Sequence, residues 1–213
     1  STKLEKNMSL DMTNDSISMY FKKIKLKNSI IKKVNKYIEK KFDKNNKILG
    51  VHFRGSTYKT ARGHAFPATI DLMIKNIDLL MQNYGYSKIF LVTEEEKYLK
   101  DLQKKFKDKI LFYKSFRMKN LDSYKIYPRK NHRYLLGEEI LVETLILSKC
   151  QGLTYIKSNV ISAAIMFAKK KIKTHEIFFG LNTRNKYLSK YLWFIKSVLP
   201  IKLGGLEFLD KKK

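Results

Sequence analysis

Residues 48–59 read ILGVHFRGSTYK: a short apolar run, Ile48 to Val51, then His52, Phe53, Arg54 and the glycine at 55 that opens a loop. An apolar run of this length bounded by turn residues predicts a buried strand. Within residues 50–67, "GVHFRGSTYKTARGHAFP", the chain gathers His52, Arg54, Arg62 and His64. Arginine otherwise occurs only at 117, 129, 133 and 184, whereas lysine is spread through every segment beside Asn and Ile, as in an AT-biased coding sequence. A strand end that takes arginine where lysine is the default calls for a planar, bidentate donor, and a structural salt bridge is the competing reading of Arg54.

Working outward, "YFKKIKLKNSIIKKVNKYIEKKF" (20–42) spaces apolar residues as an amphipathic helix does, and "DKNNK" turns the chain into the strand. After the loop, "TIDLMIKNIDLLMQNYG" (69–85) predicts a helix stopped at Gly85, and "KIFLVT" (88–93) a second strand. "EEEKYLKDLQKKFKD" (94–108) begins acidic and turns basic, as the helix dipole favours, and "KILFYKS" (109–115) is a third strand. A buried-face helix "LLGEEILVETLILSKC" (135–150), a strand "GLTYIKS" (152–158), a helix "NVISAAIMFAKKK" (159–171) and a last helix "TRNKYLSKYLWFIKSVLP" (183–200) complete the pattern. Strands alternating with helices predict an α/β fold, a Rossmann-like doubly wound parallel sheet of four to six strands with helices on both faces.

With 213 residues and 44% apolar composition, the chain can bury a full core. The lone Cys150, in an apolar stretch, excludes a disulfide framework and reads as a buried thiol in a reducing, cytoplasmic compartment. No early segment approaches the roughly 20 apolar residues of a membrane span. The opening "STKLEKNMSLDMTND" has no initiator Met and little pattern, as expected of a fragment. The formal charge of +26 permits a nucleic-acid partner, yet no RRM, OB-fold or helix-turn-helix motif accompanies it, and a solvated lysine surface accounts for it.

Ligands of doubly wound sheets bind outside the carboxyl ends of the strands. Four such ends, His52 to Arg54, Thr93 to Glu95, Ser115 to Arg117 and Lys157 to Asn159, are expected to converge on one crevice. No glycine-rich phosphate loop of the usual kinds is present. Arg54 facing the free amides of a helix start at Ser158 to Val160 would hold a diphosphate without metal. No metal site is expected, because His52, His64, His132 and His175 lack acidic or thiol partners at ligand spacing. His52 reads equally as a core histidine, and Glu95 as a helix-start charge. The segment "SFRMKNLDSYKIYPRKNHRY" (115–134), with Arg117, Arg129, Arg133, Tyr124, Tyr127 and Tyr134, is either a lid over the crevice or an exposed loop.

"GVHFRGSTYK", "KIFLVTEE", "LLGEEILVETLILSKC" and "YIKSNVISAAI", in this order over residues 30–170, resemble the carboxyl-terminal half of GDP-fucose-dependent fucosyltransferases of the α1,6 and protein-O-fucosyl type. They also resemble related bacterial capsule and lipooligosaccharide glycosyltransferases. The resemblance implies the nucleotide-sugar domain of an inverting, metal-independent GT-B enzyme acting on a glycan or lipid-linked saccharide in surface polysaccharide synthesis. It gives His52 a place at the nucleoside and Arg54 the neutralisation of the departing β-phosphate. Glu95 becomes the carboxylate that reads guanine, Ser115 a hydroxyl for base or ribose, and Ser158, Asn159 and Val160 the phosphate-contacting helix start.

The chain departs from that pattern where the family's Thr-Asp pair reads Ser56-Thr57 and a following Arg reads Gly55. With no acid left in the loop, His64 is the candidate general base, or else an acceptor-positioning or structural histidine. A degenerate domain that binds without catalysing is therefore a competing reading, beside a basic nucleic-acid module. The expected organisation is a polar leader or remnant of a preceding acceptor domain at 1–19, the nucleotide-sugar domain at 20–180, and an amphipathic helix with basic tail at 181–213. That final helix packs on the core, on the missing half, or on an anionic membrane at the inner face.

Overall fold

The computed structural model describes residues 23–119 and 125–208; the leader at 1–19 and Tyr124 lie outside them. Along the chain run α1 (Asn28–Lys41), β1 (Ile48–His52), α2 (Ile70–Tyr84), β2 (Lys88–Val92), α3 (Glu96–Phe106), β3 (Ile110–Leu111), α4 (His132–Leu147), β4 (Gly152–Tyr155), α5 (Asn159–Phe167), β5 (Lys173–Glu176) and α6 (Leu192–Val198). The strands form one parallel five-stranded sheet in the order β3-β2-β1-β4-β5. The chain winds from β1 through β2 to β3, then returns to lay β4 on the other side of β1. The carboxyl ends of β1 and β4 thus mark the reversal point at which such sheets open a crevice.

Alternation along the strands divides the core in two. Leu49, Val51 and Phe53 of the β1 segment, with Ile89 and Leu91 of β2, pack against Met73 and Ile77 of α2 and Tyr98 and Leu102 of α3. Ile48 with Phe90, Val92, Leu153 and Tyr155 packs against Ile30 and Val34 of α1, Val142 and Ile146 of α4, and Ile161 and Ala164 of α5. Helices therefore cover both faces, as the sequence predicts. Gly50 lies on the second face, where a Cβ would come within 2.6 Å of Leu153 Cδ2 and 2.9 Å of Leu147 Cδ2, so its bareness lets α4 sit close to β1.

Local signals explain most boundaries. The Thr69 hydroxyl accepts from the Leu72 amide at the start of α2, and Gly85 closes it with φ of 64°. The expected helix over 20–42 is interrupted among the described residues: Lys23 is helical, residues 24–27 are not, and α1 runs from Asn28. Helix α5 ends at Phe167, before the lysines 169–171, and β3 pairs over two residues only. The expected helix over 183–200 shrinks to α6, because Asn185 Oδ1 accepts the Tyr187 and Leu188 amides and holds a turn instead. Trp193 and Leu206 of this segment join the first core cluster. Cys150 is buried, and burial pushes its thiol up, away from reactivity.

Candidate functional site

Beyond the carboxyl ends of β1, β2, β3 and β4 lies a pocket of about 260 Å³. Each strand end contributes to it: His52 and Arg54, Thr93 and Glu94, Ser115 and Phe116, Asn159 and Val160. Helix α4 closes the remaining side with Leu136, Glu139, Ile140 and Glu143. The convergence expected from the strand ends is therefore present, and strand alternation selects the inward residues. His52 and Arg54 share one side of the β1 segment, whereas Phe53 points to the other and stacks on Tyr98 at 4.0 Å between ring centroids.

Arg54 reaches the pocket edge held by two partners. Its Nη2 lies 3.3 Å from Glu94 Oε2, and its Nη1 donates to the Tyr58 hydroxyl at 3.3 Å while the guanidinium lies 4.2 Å over the Tyr58 ring. The anticipated salt bridge and a pocket position thus coexist. His52 is buried, its Nδ1 3.3 Å from the Ser158 hydroxyl. Burial, helped by the Arg54 charge, pushes its pKa down to about 3, so the imidazole is neutral at physiological pH. Ser158 sits behind the pocket wall and accepts from the Ile161 amide, capping α5 so that its first turn, Asn159 and Val160, faces the pocket.

Two expected residues lie elsewhere. Glu95 does not line this pocket: its carboxylate is 3.6 Å from Lys59 Nζ and lies against Gly55, where a Cβ would meet Glu95 Oε1 at 2.3 Å. The neighbouring Glu94 faces the pocket instead. His64 is exposed and outside the pocket, its ring 5.2 Å from that of Tyr58, which in turn contacts Arg54.

The site also holds a carboxylate that strand-end reasoning missed. Glu143 is buried at the pocket wall, accepts from the Ser115 hydroxyl at 2.7 Å, and lies 3.3 Å from Arg117 Nη2. Burial pushes its carboxyl up to about 7, against the opposing pull of Ser115 and Arg117. Burial also works to raise Glu139, one turn earlier, but hydrogen bonds from Arg129 and the Phe116 amide bring it below the ordinary range. Arg129 grips Glu139 through two nitrogens at 2.6 and 2.7 Å. Arg117 and Arg129 of the 115–134 segment therefore anchor to α4 around the pocket, while Tyr127 and Tyr134 of the same segment are exposed. The signal was the i, i+4 pair Glu139 and Glu143, which puts two acids on one face of a helix whose Ile140 to Leu147 stretch is otherwise mostly apolar. Among the described residues, no group of three or more His, Cys, Asp or Glu side chains is arranged to hold a metal ion.

Solved structures share this fold. The chain matches the α-1,6-fucosyltransferase NodZ soaked with GDP-fucose at a TM-score of 0.50 and 17% identity, over 78% of this chain and 49% of that one. It matches POFUT1 in complex with GDP at a TM-score of 0.50 and 9% identity, over 76% of this chain and 51% of that one. The chain thus spans about half the length of the structures it matches. No family model matches the sequence, and neither does any curated protein.

Proposed function

We propose that this chain is the donor-nucleotide domain of a glycosyltransferase, binding a GDP-sugar, with GDP-fucose the first candidate. The observation that carries the reading is one pocket at the sheet's reversal point that brings Arg54 and the amino end of α5 together with the buried Glu143. Arg54 and the amino end of α5 offer donors for a diphosphate. Glu143, with Ser115 beside it, offers a buried carboxylate suited to the adjacent N–H groups of a guanine edge. Glu143 thus takes the role the sequence resemblance gave to Glu95, whose carboxylate faces away. The bound GDP and GDP-fucose of the structures that share the fold support the same donor class. At about 260 Å³ the pocket is smaller than the ~300–1,000 Å³ typical of small-molecule sites, so the base and ribose would enter while the sugar stays outside for an acceptor.

In the transfer itself an acceptor hydroxyl bonds to the anomeric carbon as the bond from that carbon to the β-phosphate oxygen breaks, inverting the centre. The electron pair leaves with GDP, and Arg54 and the α5 amides stabilise the growing charge without a metal. His52, kept neutral, holds Ser158 and the nucleoside. His64 takes the acceptor proton in this reading. The acceptor, a glycan or lipid-linked saccharide, would dock on a domain preceding residue 20, in cytoplasmic synthesis of bacterial surface polysaccharide.

Titration calorimetry with GDP, UDP, ADP and GDP-fucose tests the reading. GDP-selective binding that Arg54→Ala weakens by tenfold or more supports it, and equal weak binding of all four, unchanged in the variant, would sink it. A domain that binds without transferring is the second reading, favoured by a loop, residues 55–67, that contains no Asp or Glu. Such a domain binds GDP selectively yet releases none from GDP-fucose in the presence of acceptor glycans.

A further inference from the structure

Most of the exposed large apolar side chains among the described residues fall within residues 181–208. On α6 and its N-cap they form a stripe: Tyr191, Phe194, Ile195 and Val198 stand three or four residues apart and face solvent, Tyr191 at 64% and Val198 at 81% exposure. Tyr187 and Leu188 extend the stripe upstream, and Ile201 and Leu203 downstream. A surface helix ordinarily turns such a stripe inward. Here Trp193 on the opposite side faces the core, donating its indole N–H to the Pro67 carbonyl at 2.8 Å. The outward stripe is therefore the arrangement the core itself enforces. Further ties hold it: the Asn182 amide donates to the Ser189 carbonyl at 2.9 Å, and the Leu206 amide to the Lys196 carbonyl at 3.0 Å.

The charge around the stripe is predominantly positive, Glu207 being the one acid within residues 181–208. Residues 177–206 contain no Asp or Glu, while Arg184, Lys186, Lys190, Lys196 and Lys202 punctuate the apolar row. We propose that this face docks on an anionic lipid surface, with the aromatic and aliphatic stripe at the boundary of headgroups and acyl chains and the cations against lipid phosphates. Apolar and aromatic side chains between lysines, with no acid among them, are the composition that partitions into such an interface. A second copy of the chain fits poorly, since it would set five cations against five. Among the described residues no helix is long and apolar enough to cross a membrane, so the contact is with the surface. The inference does not depend on the nucleotide pocket.

The test is flotation of the full chain with vesicles of phosphatidylcholine alone and of phosphatidylcholine with phosphatidylglycerol, at physiological salt. The chain should float with the anionic vesicles, and Phe194→Asp/Val198→Asp should lose roughly tenfold or more of that binding at an unchanged melting temperature. Binding that survives in the double variant reduces the effect to the general lysine surface and overturns the proposal, as does the absence of binding by the parent. So does a dimer that dissociates in the double variant while neither protein floats. An independent reading comes from a polarity-sensitive fluorophore on Val198→Cys, Cys150 being buried. Its emission should shift to the blue with anionic vesicles while the same dye on Lys36→Cys stays unmoved, and equal shifts or none at either position count against the proposal.

Discussion

Replacing Glu143 with Gln keeps the oxygen that accepts from Ser115 and faces Arg117 and removes only the ability to ionise. In the folded chain the carboxyl titrates near 7 against an ordinary value of 4.5, so the folded state holds the proton more tightly than the unfolded one. Stability from this group is accordingly full below about pH 4.5 and lost as pH rises toward and through 7. The interval of about 2.5 units corresponds to roughly 3 kcal/mol, at about 1.4 kcal/mol per unit. Buried His52 has the opposite sign: its folded value near 3 lies below the ordinary 6.5, so its contribution grows as pH rises from 3 to 6.5. The two slopes oppose each other in the parent, but His52 titrates equally in parent and variant and cancels in their difference. Urea unfolding at pH 5 and pH 8 should therefore give nearly equal stability for parent and variant at pH 5, and a variant more stable by about 2–3 kcal/mol at pH 8. A difference that does not change with pH refutes the buried, proton-holding carboxylate. Nucleotide binding should move the other way, because guanine N–H groups need the ionised acceptor: GDP affinity of the parent should rise between pH 5.5 and 8, and Glu143→Gln should be weaker at pH 8.

Two further substitutions examine the frame that holds the site. Gly55→Ala places a Cβ 2.5 Å from Tyr98, which is buried and stacked on Phe53 and cannot retreat, so a loss of about 2 kcal/mol and a melting temperature lower by about 4–8 °C are expected by calorimetry. Trp193→Phe removes the donor to the Pro67 carbonyl and should cost about 1–3 kcal/mol, read by urea unfolding; a neutral result would mean that the indole N–H is not what holds the 181–208 segment to the core.

The α/β winding was legible because apolar periodicity changes between strand and helix at each element, and because a parallel strand buried on both faces reads as a continuous apolar run. Arg54, His52 and the helix start at Ser158 were legible for a related reason: in such sheets the carboxyl ends of the strands converge wherever the strands lie. The choice between Glu94 and Glu95 was not. Adjacent residues at a strand end face opposite sides, and only the pairing of β2 with β1 puts Glu94 on the side of Phe90, Val92 and His52 while Glu95 turns toward Tyr98 and Lys59. Glu143 was hidden because apolar residues lie on every side of the Leu135–Leu147 part of α4, which conceals which side meets a neighbouring helix and which meets the pocket. The sequence by itself determined the alternation of elements and the row of polar strand ends. The tertiary structure decided which carboxylates enter the pocket and that the apolar stripe of α6 faces outward, because side-chain direction depends on packing between segments distant in the chain, and no local pattern records it.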